Sequence, residues 1–247
     1  MKHTFFTVIS LLILLIFAGL FPPAAHSVNS ADRLEISNWP QLNFSHLKYS
    51  EAEITLANPK HNLVLVNRLR KLPADYEPQD LVIPDIPFLE EGDLPKNHLQ
   101  PKAAEAIEEL FFAAKEEGLV LAGVSGYRSY ERQQEIFNQN VQQVGRQAAE
   151  RFSAPPGASE HQTGLAIDIS SSEVSYQLTQ SLGETKSGQW IAENAHKFGF
   201  IIRYPKDKEH ITGYQYEPWH LRYVGQPHAQ IIYEKDITLE EYVYTNY

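Results

Sequence analysis

Leu165-Ala166-Ile167-Asp168-Ile169-Ser170 is the stretch on which the fold turns. Leu165, Ile167 and Ile169 alternate with Ala166, Asp168 and Ser170, the period-two pattern of a strand with two distinct faces. One face is aliphatic and belongs in a core; the other carries a carboxylate beside small residues. Just upstream, Gly164 can let the chain fold back on Ser159-Glu160-His161-Gln162-Thr163. Further back, Glu131 to Ala149 reads as a helix ending near Pro155-Pro156-Gly157, and Leu119 to Val124 as a buried strand followed by the turn Ser125-Gly126-Tyr127-Arg128-Ser129. Pro101 suits a first helical turn; Ala104, Ile107, Leu110, Phe111 and Ala114 follow at helical spacing, and Gly118 stops that helix. Downstream, Gln189 to Phe198 is a third helix closed by Gly199, and Phe200 to Tyr204 and Trp219 to Val224 are strands. Helices and strands mix without regular βαβ alternation. The class is therefore α+β, with a small central, mostly antiparallel sheet flanked by helices.

The N-terminal third is organised differently. Lys2 and His3 precede a mainly apolar run from Phe5 to Phe21, followed by Pro22, Pro23 and the cleavage-like Ala25-His26-Ser27. Residues 1–27 read as a signal peptide or an N-terminal membrane anchor, the run lying near the lower limit of about 17 residues for a bilayer span. Either reading places the rest of the chain outside the cytoplasmic membrane, in the extracellular space, in the cell wall or on the membrane's outer face. Residues 28–60 lack a sustained period and read as a linker. His61 to Asn67 is a short apolar run expected to form a strand. Leu72 to Pro95, with Pro73, Pro78, Pro84 and Pro87, is expected to wrap the domain as an extended arm. A single domain is thus expected over 61–247.

Composition narrows the chemistry. A formal charge of −10 without a basic stretch argues against nucleic acid as a partner. With no cysteine there are no disulfides, thiolate metal sites or cysteine nucleophile, and the 10 histidines with Asp and Glu become the candidate metal ligands. The chain also lacks the Gly-x-Ser-x-Gly elbow of many serine hydrolases.

Two segments then stand out, Ser159 to Asp168 and Glu217-Pro218-Trp219-His220. Alone, His161-x6-Asp168 is a spacing that chance supplies often, and Glu-Pro-Trp-His reads equally as an aromatic core segment. Together they offer His161, Asp168 and His220, three ligands that leave a fourth zinc position open for water. Glu217 stands where a general base is needed, and Pro218 pushes it into an extended conformation. On this reading Glu217 ends a turn and His220 begins a strand.

The same segments fit Ser-x-His-x-x-Gly-x-x-x-Asp and Glu-x-Trp-His, and so resemble the D-alanyl-D-alanine carboxypeptidase family of zinc peptidases, which includes vancomycin-resistance D,D-carboxypeptidases and Gram-positive L,D-carboxypeptidases. The resemblance covers roughly residues 60 to 228. Leu63-Val64-Leu65-Val66-Asn67, Leu72-Pro73-Ala74-Asp75-Tyr76, Ser125-Gly126-Tyr127-Arg128-Ser129 and Ile211-Thr212-Gly213-Tyr214 also look like family landmarks in the family's order. It implies one zinc per chain on His161, Asp168 and His220, with Glu217 as catalytic base and acid. It further implies that Arg128 stabilises the oxyanion or holds the substrate carboxylate, and that Gln133, Ser159 and Tyr214 contact the terminal D-alanine of peptidoglycan stem peptides. No protein partner is indicated. A non-catalytic wall-binding relative and an endopeptidase on the same fold are the alternatives. The D,D- and L,D-specificities both fit, because both scissile bonds precede a C-terminal D-alanine. His196 reads as a histidine placed at a helix C-terminus by the dipole, and His210 and His228 as ordinary polar residues.

Overall fold

The computed structural model describes residues 61–246. The expected leader or anchor at 1–27 and linker at 28–60 lie outside them. Among the described residues, helix α1 (Pro101–Glu116) leads to β1 (Leu121–Ser125), α2 (Tyr130–Val144) and the short α3 (Arg146–Ala149). Then come β2 (Ala166–Ser171), α4 (Lys186–Asn194), β3 (Phe200–Tyr204), α5 (Glu209–Thr212), β4 (Glu217–Tyr223), α6 (Gln226–Glu234) and α7 (Leu239–Asn246). The four strands form one antiparallel sheet in the order β1-β2-β4-β3. The fold is α+β, as the mixed pattern requires.

Sequence explains most of these elements locally. Ser129 caps α2 by accepting from the Arg132 N–H, and Thr185 caps α4 by accepting from the Gly188 N–H. The helix expected over 131–149 is two helices, because Gly145 sits at φ 82 between them. The third helix begins earlier than expected, at Lys186, and its last turn tightens to a 3₁₀ helix before Gly199 at φ 80.

The core lies mainly on one side of the sheet, where Ile107 and Leu110 of α1 meet Ile167 and Ile169 of β2 and Leu221 of β4, all fully buried. Full burial of such a side chain contributes about 1.5–3 kcal/mol. Ile167 and Ile169 therefore fix which face of β2 turns inward. A slip of one residue would put Asp168 in the core and an isoleucine in its place. A second cluster packs Leu63 and Leu65 with Ile201 of β3, Ile232 of α6 and Leu239, Tyr242 and Val243 of α7.

Two expectations fail for identifiable reasons. His61–Asn67 is buried from Leu63 onward but forms no strand. Its carbonyls at Asn62 and Val64 accept from the Arg222 guanidinium at 2.8 and 2.7 Å, so a side chain takes the place of a neighbouring strand. Strand β4 begins at Glu217 instead of Trp219, pairing with Tyr204 beyond an irregularity in β3. Pro218 is tolerated because it lies at the start of the strand, past the residues that pair with β2. The proline-rich segment behaves as an arm: it contains no regular helix up to Pro95, and bridges single residues at Val82↔Leu99 and Phe88↔Gly123.

Candidate metal centre

Asp168 of β2 and His220 of β4 are directly paired across the two strands, and Ser125 of β1 pairs with Asp168 from the other side. Cross-strand partners share a face and bring their side chains within reach of each other. His161 arrives from a 3₁₀ turn, Glu160–Thr163, that ends at Gly164 with φ 68. A Cβ there would lie 2.8 Å from Leu81 Cδ2 of the arm, so glycine is needed for both the dihedral and the space. The turn is laced to the arm as well: Gln162 Nε2 donates to the carbonyls of Pro73 and Tyr76, and Gln100 Nε2 donates to that of Thr163.

The three residues meet. One candidate ligand atom from each of His161, Asp168 and His220 lies within 4.8 Å of the others. Asp168 Oδ2 is 3.3 Å from His161 Nε2, and Oδ1 is 3.1 Å from His220 Nδ1. The imidazoles stand edge to face, 84° apart, with centroids separated by 4.9 Å. His161 Nδ1 faces the Gly126 carbonyl at 2.7 Å, which turns Nε2 toward the cluster. Asp168 Oδ1 is buried without an aligned hydrogen bond. Two imidazoles and a carboxylate converging around such an atom suit Zn²⁺, whose catalytic sites take three protein ligands of this kind.

The electrostatics follow from burial. Burial pushes the Glu217 carboxyl up to about 8; Asp168 adds to the rise, while His220 and Arg128 oppose it. For His220, burial works against the charge, but the carboxylates of Asp168 and Glu160 prevail and raise it to about 9. Burial also raises Asp168, yet the two histidines hold it well below the usual carboxylate range. His161 is lowered, mainly by burial. Glu217 Oε2 lies 4.0 Å from His220 Nδ1, beside the cluster.

The other expected residues gather around a cavity of about 290 Å³, lined among others by Arg128, Gln133, Ser159, Tyr214, Glu217 and Trp219. Arg128 is braced by Gln133 Oε1 at 2.9 Å and Ser125 Oγ at 3.0 Å, and one nitrogen lies 3.9 Å from Asp168. Gln133 donates in turn to the Ala154 carbonyl, so both ends of its amide are engaged. The buried Tyr214 hydroxyl has no hydrogen bond, the Arg68 guanidinium lying over its ring at 4.4 Å. All eight expected residues thus border one site.

His196, His210 and His228 lie elsewhere. His196 is buried and stacks on Tyr233 at 3.7 Å, and burial lowers its pKa, which favours the neutral ring over the cation that a helix dipole would stabilise. His228 faces the Tyr242 hydroxyl at 2.7 Å, and His210 lies in α5.

Sequence reasoning passed over three residues that matter to the site. Glu160, directly before His161, is completely buried and takes Arg203 and Arg222 on one oxygen. The signal for it was an arginine within each of two apolar strands, Phe200-Ile201-Ile202-Arg203-Tyr204 and Trp219-His220-Leu221-Arg222. A charge so placed must have a buried partner.

Comparison with known proteins agrees with this geometry. The family model of the D-alanyl-D-alanine carboxypeptidases, VanY, matches residues 96–226. A Bacillus subtilis protein named as a suspected carboxypeptidase, YodJ, is 51% identical over 81% of this chain and 73% of its own. The solved structure of the LdcB LD-carboxypeptidase superposes with a TM-score of 0.74 at 53% identity, covering 77% of this chain and 89% of that one. A variant of the vancomycin-resistance D,D-pentapeptidase VanY, solved with Zn(II), gives a TM-score of 0.60 at 37% identity over 74% of this chain and 98% of its own.

Proposed function

The chain belongs to the D-alanyl-D-alanine carboxypeptidase family of hydrolases, and from that premise we propose that it is a zinc carboxypeptidase that removes the C-terminal D-alanine of peptidoglycan stem peptides. The observation that carries this reading is the convergence of His161, Asp168 and His220 beside Glu217 and Arg128 in one cavity. His161, Asp168 and His220 would hold a single zinc ion per chain. When bound, that ion supplies a Lewis acid that acidifies water and polarises the scissile carbonyl.

The protein's own groups do the rest. Glu217 takes the proton of the attacking water and passes it to the leaving amine. Its buried carboxyl holds a proton tightly in the metal-free protein; beside a divalent cation it ionises more readily, as a base must. Arg128 presents a planar fork suited to a terminal carboxylate, and Gln133 keeps that fork in place. Ser159 and the unpartnered Tyr214 hydroxyl complete the grip on the terminal D-alanine. Trp219, Phe152 and Leu178 supply apolar lining to the same cavity. We assign residues 61–247 to the catalytic domain, 28–60 to a linker and 1–27 to a leader or anchor that brings the enzyme to the wall.

Incubating the purified protein with muropeptides and weighing the products tests the reading. Loss of one alanine from pentapeptides or tetrapeptides, abolished by a chelator and restored by zinc, is expected. Products cut inside the cross-bridge would favour an endopeptidase, and no product at all would favour a binding module.

A further inference from the structure

One buried charge near the metal centre is unused by the reaction described above. Glu160 Oε1 accepts from Arg203 Nε at 2.7 Å and from Arg222 at 2.5 Å. Its other oxygen, Oε2, faces His220 Nε2 at 3.5 Å. Neither of those two atoms has any other hydrogen-bond partner, and both are buried. The opposite nitrogen of the same ring, Nδ1, is the one that faces Asp168, at 3.1 Å.

We propose that Glu160 is a positioning residue: its Oε2 accepts the Nε2–H of His220, holding the proton on that nitrogen, and thereby commits Nδ1 to the metal. The inference rests on His220 being a ligand. An imidazole that ligates through one nitrogen must place its proton on the other, and a buried carboxylate is the strongest acceptor for it. Two arginines fix where that carboxylate points. Arg222 is anchored on the Asn62 and Val64 carbonyls, and Arg203 is held by both oxygens of Glu240 on α7. With Oε1 saturated by the arginines, Oε2 has only His220 to serve. His161 is oriented differently, through the Gly126 carbonyl, so the two histidines depend on separate supports.

The test is a zinc titration against a competing chelator, using the full chain and three proteins. Glu160→Gln is expected to weaken zinc binding by about 10–100-fold, the usual effect of losing such an outer contact. Glu240→Gln disturbs the same buried network at its far end and should leave zinc affinity within about twofold of the parent. If the parent binds no zinc, the ligand assignment itself falls. If the parent binds zinc and Glu160→Gln binds it equally well, only the role of Glu160 falls. An equal loss in Glu240→Gln would also overturn it, by making the effect one of general loosening. Should Glu160→Gln fail to fold, the ¹⁵N spectrum of the histidine-labelled, zinc-loaded parent decides. Proton on Nε2 of His220 with metal on Nδ1 supports the proposal; the reverse tautomer overturns it.

Discussion

Two clusters of buried charge meet at His220, and they are built on opposite terms. On one side Glu160, Arg203, Arg222 and Glu240 neutralise one another, and each guanidinium is fully engaged, Arg203 by three bonds of 2.6–2.8 Å. On the other side Asp168, Glu217, His161 and His220 crowd together with an orphaned carboxylate oxygen and a carboxyl driven up to about 8. The side chains of both clusters are buried, but His161, Asp168, Glu217 and His220 all line the cavity of about 290 Å³, which Arg203, Arg222 and Glu240 do not reach. What separates them is charge compensation: in the first, both carboxylates are matched by guanidinium groups, and the one oxygen left over, Glu160 Oε2, is turned toward His220. Buried charge in itself marks structure as often as function, whereas carboxylates and imidazoles crowded together at a cavity, with a carboxyl driven far from its ordinary range, mark a candidate ligand site.

The sharpest way to break this contrast is to remove one group from each side. Glu217→Gln should retain zinc by elemental analysis while kcat falls about 10²–10⁴-fold. A variant with near-parental turnover would show that another group is the base. Arg222→Met should do the reverse, leaving the reacting groups in place but stranding part of the Glu160 charge. Unfolding in denaturant should show a loss of about 3–5 kcal/mol.

A milder test uses pH. In chelator-treated protein Glu217 holds its proton more tightly folded than unfolded. Its contribution to stability is complete below its ordinary value of 4.5 and is lost as the pH rises through about 8. His220 follows the same sign between 6.5 and about 9. Glu160 has the opposite sign: burial would raise it, but Arg203 and Arg222 depress it, so its contribution is present above the ordinary carboxylate value and lost only in strong acid. Melting of the metal-free protein should therefore weaken from pH 6.5 to 9, and less so in Glu217→Gln. Zinc affinity should move the other way, rising about tenfold per pH unit until His220 has lost its proton near pH 9. A flat affinity profile would contradict the protonation state assigned to His220.

The smallest expected effect concerns Arg128. Amidating the substrate's C-terminus should reduce kcat/KM for the parent far more than for Arg128→Ala, with a coupling of about 1 kcal/mol or more if the guanidinium grips the carboxylate. Coupling near zero would leave it the oxyanion role.

What could be read in advance divides along the same line. The period of Leu165 to Ser170 locates β2 and the face that carries Asp168, and the spacing of Ala104 to Ala114 locates α1, because local periodicity suffices for both. The three residues that converge as candidate ligands, His161, Asp168 and His220, were legible through their motifs. The arginine network was not, since Glu160 finds Arg203 43 residues away and Arg222 62 residues away, and nothing local announces such pairings. The same cause defeated the reading of His61–Asn67. Its apolar pattern is that of a strand, but the partner of its carbonyls is a side chain near the other end of the chain.

The sheet order β1-β2-β4-β3 also makes the site depend on one strand. Among the described residues the last strand in the chain, Glu217–Tyr223, takes a central position and is what joins β1 and β2 to β3. Without β4 the chain offers only His161 and Asp168 of the three candidate ligands. Pairing of β2 with β4 over a separation of 52 residues, from Asp168 to His220, is thus also what brings the candidate ligands together. A metal site on these residues would therefore require the completed sheet, with neither β1 and β2 nor β3 sufficing alone.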